Sequence, residues 1–447
     1  MSNIEGSLDQ KTSEKILADY LADKTNTVVR HTLSRVSLTD AVHENAAVKD
    51  TPMTFSIDIK TMAVTNQKAS GRCWIFAALN VLREIVAKKA GITVPFELSQ
   101  NYVALFDKIE KANYALESVI SLSKYSPNER VFQFILDNPV SDGGQWDMFV
   151  NLVKKYGIMP KDAFPESYQS NNTRETNQLV NAIIRSFAYQ AHELASKGKN
   201  SEIRPLKEKT LESVYRLFYD AFGVPPKEFL FEYRDSKDKH HSEAYTPLSF
   251  FEKFIGKEID EYQSLINSPT TDKPFLRNFT IDYLGNVLEG KPINHLNVTM
   301  DEMKEAIIKQ LTAGELVWFG SDVGFYRDRD SFAWDDKAFD YESALGFRVD
   351  FDKGAMLDFR HSAMNHAMVI TGVDLDEKGN AKRWKIENSW GEQAGTKGYF
   401  VMSASWFDRF VYQAVVKTKY LNKEQVAAAK KVPIHLNPWD PMGTLAD

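Results

Sequence analysis

Residues 67–86 read QKASGRCWIFAALNVLREIV and contain the only cysteine of this 447-residue chain, Cys73. A glycine-containing turn precedes Cys73, and the apolar side chains after it recur at three- and four-residue steps, which predicts a long buried helix from Cys73 to about Lys89. A thiol at a helix N-terminus lies near the positive end of the helix dipole, which favours the thiolate. The free N–H groups there can also stabilise an oxyanion, and the side chain of Gln67 is a further candidate donor. Cys73 is therefore a candidate nucleophile.

A lone cysteine is weak evidence by itself, because free cysteine is among the most buried residue types. A nucleophile needs a base, and residues 365–372, NHAMVITG, place His366 at the start of a predicted strand. After a turn-like segment, residues 383–391, RWKIENSWG, return along the chain. His366 and Asn388 are equidistant from residue 377 in that turn, so a hairpin would set them opposite each other on one face.

His366 taken alone is more often a structural histidine at the start of a strand. Together with Cys73 and Asn388 it predicts a nucleophile, a base and the residue that orients the base. The Asn388 carbonyl would accept a hydrogen bond from one imidazole nitrogen and leave the other for the thiol. A neutral asparagine suffices, because it only fixes the tautomer while the working state is a thiolate–imidazolium pair.

The composition restricts the class of protein. With 43% hydrophobic and 26% charged residues, the chain has the balance of an ordinary globular protein. A single cysteine excludes an intrachain disulfide and agrees with a reducing compartment, so we expect a cytoplasmic location. The net charge of −6 argues against a dedicated nucleic-acid binder. The polar N-terminus and the absence of a long apolar run predict neither a secretory signal nor a membrane span.

The pattern predicts an α+β protein in five segments. They are an N-terminal extension (1–60), a helical lobe with the nucleophile helix (61–165), a mostly helical insertion (166–300), a β-rich lobe with the base and its orienting residue (301–420), and a C-terminal helix and arm (421–447). Within the insertion, His240 and His241 lie in a run of Asp, Lys and Ser, which predicts an exposed loop, and no further ligands at metal-site spacing are evident. We expect neither a metal nor an organic cofactor.

The motifs around these residues resemble the papain family of cysteine peptidases. Gln67 lies six residues before Cys73 and Trp74 follows it, as in that family. Residues 388–391, NSWG, are similar to the family's asparagine-containing block. The pair Gly143-Gly144, followed by a predicted helix, resembles the segment whose glycine backbone binds substrate. The resemblance implies a two-lobed fold with a helical lobe and an antiparallel β-barrel lobe, and it implies that Trp390 shields the histidine–asparagine hydrogen bond from solvent.

Two departures refine the resemblance. His366 follows Cys73 by 293 residues, about twice the separation in secreted papain-like enzymes, which implies a large helical insertion. Ser70 stands where secreted members usually have a disulfide cysteine. With the ending NPWDPMGTLAD at residues 437–447, these features resemble the bleomycin hydrolase branch and, within it, the bacterial aminopeptidases.

The resemblance carries further implications. It implies a homohexameric barrel with the active sites inside, and a C-terminal arm that fills each chain's own cleft. The terminal carboxylate, near Ala446 and Asp447, would then hold the α-amino group of a peptide with a free N-terminus and make the enzyme an aminopeptidase. Two alternatives stay open: an endopeptidase on the same fold, and a non-catalytic hexamer that binds nucleic acid, which the negative charge disfavours.

Overall fold

The computed structural model describes residues 5–44, 51–328 and 332–446. The α-helices are α1 (Gln10–Ala22), α2 (Lys24–Leu33), α3 (Leu38–Ala41), α4 (Cys73–Ala90), α5 (Gln100–Leu122), α6 (Arg130–Asp137), α7 (Trp146–Tyr156), α8 (Tyr168–Asn171), α9 (Arg174–Ser196), α10 (Ile203–Phe222), α11 (Pro247–Phe254), α12 (Met300–Thr312), α13 (Tyr341–Leu345), α14 (Lys353–Asp358), α15 (Ala404–Phe410) and α16 (Lys423–Ala428). Short 3₁₀ turns lie at Lys161–Ala163, Asn200–Glu202, Gly256–Glu261, Thr418–Tyr420 and Pro441–Ala446.

The strands alternate with these helices, mainly in the second half of the chain. They are β1 (Ile57–Asp58), β2 (Phe229–Arg234), β3 (His240–Tyr245), β4 (Tyr262–Ile266), β5 (Arg277–Ile281), β6 (His295–Asn297), β7 (Val317–Ser321), β8 (Ala333–Trp334), β9 (His366–Leu375), β10 (Ala381–Glu387), β11 (Tyr399–Ser403), β12 (Val411–Lys417) and β13 (Ile434–Leu436). All except β2 and β3 belong to one largely antiparallel sheet in the order β13-β5-β6-β4-β12-β7-β9-β10-β11-β8, with β1 on β9.

Helix α4 is the central helix of the first apolar core. It is buried along most of its length, as its apolar periodicity predicts, and it ends at Gly91, whose φ of 69° is left-handed. Cys73 and Trp74 share a core cluster with Ala367 and Val369 of β9. The first turn of the helix therefore packs directly on the strand that begins with the predicted base.

The sheet separates two apolar cores because successive side chains of a strand point to opposite faces. Ala367 and Val369 face the core that contains α4, whereas Met368 and Ile370 belong to a second core with residues of α12 and α15. Strand β9 is thus fixed on both faces, and it is hydrogen-bonded to β7 and β10 on either side. His366, the first residue of β9, is therefore held by a strand that is packed on both faces.

The segment predicted as a mostly helical insertion departs from that prediction. Residues 166–300 contain α8 to α11, but β4, β5 and β6 in the same segment belong to the main sheet. Their pattern was misleading because these strands bury polar side chains that are hydrogen-bonded: Asn278 donates to the Ala428 carbonyl at 3.0 Å, and His295 accepts or donates to Ser264 at 2.8 Å. The sheet therefore starts well before the predicted boundary at residue 301.

The histidine pair of the insertion also lies in regular structure. His240 and His241 open β3, which forms a hairpin with β2, so the interpretation as an exposed loop was wrong. His241 stacks on Tyr233 with ring centroids 4.8 Å apart and contacts Asp235 at 2.9 Å. Within the described ranges, no group of three or more His, Cys, Asp or Glu side chains is placed to hold a metal ion.

The first two helices expose apolar side chains to solvent. Neither α1 nor α2 contains a buried residue, although Ile16, Leu17 and Leu21 of α1 are apolar and more than half exposed. Across the part of the chain that the structure describes, no helix is both long enough and apolar enough to span a membrane.

Candidate active site

Cys73 is the first residue of α4, and its Sγ faces the start of β9. The side chain is 5% exposed, and the backbone N–H of Ala367 donates to Sγ at 3.4 Å. The close packing of α4 on β9 brings this contact about, because residues 73 and 367 are 294 positions apart in sequence. The thiol therefore lies beside the residue that immediately follows the predicted base.

His366 and Asn388 are joined by the predicted hydrogen bond. The His366 Nε2 lies 2.9 Å from the Asn388 Oδ1, and the N–H of Ser389 donates to the same oxygen at 2.8 Å. Because an amide oxygen only accepts, Nε2 carries the ring proton and Nδ1 is the unprotonated nitrogen of a neutral ring. The tautomer that a general base needs is thus fixed by Asn388.

The strand register differs from the predicted one. The β9–β10 ladder ends with Glu387 opposite Val369, so Asn388 continues toward Met368 and lies two residues out of register with His366. The one-residue irregularities after Ala381 and after Lys385 cancel each other, so the offset arises because the hairpin is symmetric about residue 378 instead of residue 377. Since side chains repeat every second residue, a two-residue offset keeps the side chains of His366 and Asn388 on the same face and lets them meet diagonally.

Trp390 covers this hydrogen-bonded pair. Its indole stacks on the imidazole of His366 with ring centroids 4.9 Å apart and an interplanar angle of 23°. The guanidinium of Arg327 lies over the indole of Trp390, 5.3 Å from a ring centroid. A planar ring against the imidazole limits the access of water to the hydrogen bond, which is the geometry that the resemblance implies.

Gln67 is hydrogen-bonded to Ser389, the residue after Asn388. Its Oε1 accepts from the Ser389 hydroxyl at 2.6 Å, and its backbone N–H donates to the Ser389 carbonyl at 2.9 Å. Its Nε2 donates to the Ser70 carbonyl at 2.7 Å. A primary amide has two N–H donors, so one remains for an oxyanion.

Gly144 marks the opposite wall of the cleft. A Cβ at this position would lie 2.5 Å from the indole of Trp74, so only glycine permits the backbone to approach the nucleophile helix this closely. The backbone N–H of Gly144 donates to the carbonyl of Leu445 at 3.0 Å. The main-chain donor predicted to bind substrate is thus occupied by the chain's own C-terminal arm.

The arm, residues 437–446, also contacts the sheet side of the cleft. The hydroxyl of Thr444 donates to the carbonyl of Met364, two residues before His366, at 2.8 Å. Leu445 is 3% exposed, and its Cδ2 lies 3.3 Å from the point where a Cβ of Gly320 would stand. Leu445 therefore fills a pocket that the glycine at 320 leaves open.

Two contacts anchor the arm before it enters the cleft. Trp439 packs against the guanidinium of Arg130, which lies 3.7 Å from a ring centroid. Asp440 forms an ion pair at 2.9 Å with Lys273, whose side chain is only 4% exposed. The segment before the arm is extended in β13, whereas the last described residues form a 3₁₀ turn that ends at Ala446. Asp447 lies outside the described residues.

Residues 7–443 match the Peptidase C1-like family. The chain belongs to this family. It is 41% identical to aminopeptidase C of Streptococcus thermophilus over 98% of this chain and 99% of that protein, and 44% identical to aminopeptidase C of Listeria monocytogenes over 88% of each. The crystal structure of PepW from Lactobacillus rhamnosis HN001 superposes with a TM-score of 0.95 at 40% identity, covering 98% of this chain and 99% of PepW. The predicted papain-like α+β fold and the enzyme class, a cysteine peptidase related to aminopeptidases, are confirmed.

The electrostatics of the peptidase site differ from the sequence prediction. Burial raises the pKa of the Cys73 thiol to about 11, although the N–H groups of Ala367 and Trp74 act in the opposite direction. Burial also lowers the pKa of His366 to about 4, against the hydrogen bond to Asn388. The predicted stabilisation of the thiolate by the helix N-terminus is therefore outweighed by burial.

Several residues of the site were not found from the sequence. Ser389 holds Gln67, Asp142 accepts from the N–H of Gly71 at 2.8 Å, and Glu387 accepts from Asn80 at 2.9 Å. Asp142 and Glu387 directly precede the Gly143-Gly144 pair and Asn388. The sequence shows an acidic residue beside each motif. Its hydrogen-bond partners, however, come from segments far away in the chain.

Proposed function

We propose that this peptidase removes N-terminal residues from peptides by acyl transfer through Cys73. The observation that carries the proposal is the hydrogen bond from Gly144 to Leu445, which sets the arm where the non-primed part of a longer substrate would bind. A cleft blocked on that side accepts only a short N-terminal portion of a peptide before the scissile bond. The aminopeptidase relatives support the same activity.

In the proposed reaction, the Cys73 thiolate attacks the peptide carbonyl. The backbone N–H of Cys73 and the remaining N–H of Gln67 hold the developing oxyanion. His366 donates its proton to the leaving amine and then activates the water that hydrolyses the thioester. Asn388 keeps the imidazole in the required tautomer, and Trp390 protects their hydrogen bond.

The proton distribution in this mechanism belongs to the thiol and imidazole as a pair. Burial acts against each charge separately, as the raised pKa of Cys73 and the lowered pKa of His366 indicate. Transfer of the proton from Sγ to the ring creates both charges beside each other, so that their attraction offsets much of the cost of burial. Main-chain donors at Ala367 and Trp74 add to this offset.

The arm supplies the specificity for a free N-terminus. Ala446 and Asp447 follow Leu445 in the sequence, and in this proposal a carboxylate beyond Leu445 binds the amino group of the substrate. A carboxylate in a cleft of low dielectric favours the substrate's ammonium group.

The decisive experiment compares an aminoacyl 4-nitroanilide with its N-acetylated form. We expect the full-length enzyme to cleave only the form with the free amino group. Deletion of residues 441–447 removes the contacts of Leu445 and Thr444 and should allow cleavage of the acetylated form and of internal peptide bonds. Equal cleavage of both forms by the full-length enzyme would refute the aminopeptidase proposal and favour the endopeptidase alternative.

A variant without the nucleophile serves as the control for both the full-length and the truncated enzyme. Cys73→Ala removes only the sulfur atom, and we expect a folded protein without hydrolytic activity. Circular dichroism checks the fold, and release of 4-nitroaniline checks turnover. Full activity in a Cys73→Ala preparation would contradict the acyl-transfer mechanism.

We also propose that the enzyme acts in the cytoplasm as a homohexamer. The single cysteine and the lack of disulfides support the location. The exposed apolar side chains of α1, among them Ile16, Leu17 and Leu21, support association with another copy. Light scattering on the full-length protein tests the assembly, and a monomer at working concentration would contradict it.

A further inference from the structure

Glu387 lies at a buried junction directly behind the catalytic residues. Its side chain is fully buried at the end of β10, one position before Asn388. Its Oε1 accepts from the Asn80 side chain at 2.9 Å and lies 3.4 Å from the Arg83 guanidinium. Asn80 and Arg83 belong to α4, the helix that begins at Cys73, so one carboxylate connects the nucleophile helix with the strand that carries Asn388.

The same carboxylate reaches the segment that leads to the oxyanion residue. The hydroxyl of Thr61 donates to the Glu387 Oε2 at 2.6 Å, and Arg83 donates to the Ala63 carbonyl at 3.0 Å. The second N–H of Asn80 serves Thr65, at 3.1 Å, two residues before Gln67. Three chain segments that each lead to one part of the site therefore meet around Glu387.

We propose that Glu387 is a positioning residue whose ionised carboxylate holds the Asn388 strand, and through Asn388 the imidazole of His366, in register with the Cys73 helix. The inference rests on the proposed function, since it concerns the same cysteine, histidine and asparagine. Protonation of Glu387 converts one accepting oxygen into a donor and removes the charge that faces Arg83. The Arg83 guanidinium then no longer faces a negative charge on the strand, and the hydrogen bond to the protonated oxygen, from Asn80 or from Thr61, must rearrange.

The charges around Glu387 make this junction sensitive to pH. Burial raises the pKa of Glu387 to about 7, and the nearby carboxylate of Glu84 acts in the same direction. Arg83, the hydroxyl of Thr61 and the ammonium of Lys385 oppose the rise. Tyr399 of β11 also faces the site, through a hydrogen bond to Thr61 at 2.6 Å. The group therefore changes charge close to neutral pH.

The test is the pH dependence of kcat and KM in Glu387→Gln, with 4-nitroanilide hydrolysis as the readout. Glutamine keeps the size and one accepting oxygen but has no charge. We expect kcat/KM of the wild type to fall as the pH decreases through about 7, and the variant to lack this acid limb. At pH 8 we expect kcat to be lower by about tenfold, the effect of losing one hydrogen bond to a charged group, with KM nearly unchanged.

Two further variants move the acid limb without removing it. Glu84→Gln deletes the other carboxylate on Arg83 and should shift the limb to lower pH, because Glu84 raises the pKa of Glu387. Lys385→Met deletes a charge that lowers this pKa and should shift the limb to higher pH. Both variants should keep kcat close to that of the wild type at pH 8. A loss of stability alone does not produce opposite shifts of this kind.

The outcomes separate the two proposals. The series is measured on whichever substrate the wild type cleaves, free or acetylated, so an endopeptidase result would refute the aminopeptidase proposal without affecting this one. Near-ultraviolet circular dichroism checks that each preparation is folded. An unchanged acid limb in Glu387→Gln, or shifts of the same sign in Glu84→Gln and Lys385→Met, would overturn the role of Glu387.

Discussion

Two carboxylates stand at equivalent places on the two walls of the cleft. Asp142 precedes the Gly143-Gly144 pair and Glu387 precedes Asn388, and each accepts hydrogen bonds from the segment around Cys73. Asp142 binds the N–H of Gly71 at 2.8 Å and Lys108 at 2.6 Å, whereas Glu387 binds Asn80 at 2.9 Å and lies 3.4 Å from Arg83. Each carboxylate thus secures one wall to the nucleophile segment.

The difference lies in how well each charge is compensated. Burial acts to raise the pKa of Asp142, but Lys108 and the side chains of Thr173 and Asn177 hold it well below its usual range. For Glu387 burial prevails and raises the pKa to about 7. Asp142, beside the Gly143-Gly144 pair, therefore stays charged at neutral pH, whereas Glu387, beside Asn388, changes charge near pH 7.

The largest effect is expected from removing the better-compensated carboxylate. Asp142→Ala leaves Lys108, whose side chain is 1% exposed, without its counter-ion, and should lower the free energy of unfolding by about 3–5 kcal/mol. Glu387→Ala should cost less, because Arg83 keeps Glu84 at 3.2 Å. Urea unfolding of both variants checks the order.

The control for this comparison removes both charges of the better-compensated pair. Asp142→Ala combined with Lys108→Met should be more stable than Asp142→Ala alone, since no buried ammonium is left without a partner. The exposed Asp220→Ala, on α10, should change stability little. A smaller loss in Asp142→Ala than in Glu387→Ala would contradict the assigned difference in compensation.

A second prediction concerns the pH dependence of stability. The folded state binds the Glu387 proton more tightly than the unfolded state, so its contribution is fully present below the unfolded pKa and is lost as the pH rises through about 7. Relative to Glu387→Gln, the wild type should therefore lose about 1–3 kcal/mol between pH 5 and pH 8. Urea unfolding at several pH values measures this.

The contribution of Asp142 to stability should depend on pH in the opposite direction and over a more acidic range. Its pKa is lowered on folding, so its contribution is present above the unfolded pKa of about 4 and is lost only at more acidic pH. It therefore adds no slope between pH 5 and pH 8. Glu377→Gln, at an exposed position of the β9–β10 turn, is the matched control for loss of a glutamate charge. If the free energy of unfolding of Glu387→Gln changed with pH as steeply as that of the wild type, the raised pKa could not belong to Glu387.

The sequence predicted the cysteine, histidine and asparagine because each stands in a local pattern: a turn before a helix, the start of a strand, and a return strand. It did not predict the register, since the exact centre of the turn, residue 378 instead of 377, is not visible in the alternation of side chains. It also missed β4 to β6, where polar residues are buried and paired. Asp142 and Glu387 were missed because their partners Lys108 and Arg83 come from other elements.

The smallest expected effects come from removing one hydroxyl from each junction. Thr173→Val deletes a donor to Asp142, and Thr61→Val deletes a donor to Glu387, so each should cost about 1 kcal/mol of stability. Only Thr61→Val should change the pH profile of kcat/KM, moving the acid limb upward by about one unit or less, because the Thr61 hydroxyl lowers the pKa of Glu387.

Thr173→Val, the same change beside Asp142, should leave the pH profile of kcat/KM unchanged. The pKa of Asp142 stays far below the working range even after one hydrogen bond is lost, since Lys108 and Asn177 remain. The two threonine variants are thus matched in chemistry and differ only in which carboxylate they touch. An upward shift in Thr173→Val would mean that the acid limb does not belong to Glu387, and an unshifted limb in Thr61→Val would mean that the wall carrying the base is as firmly held as the wall opposite.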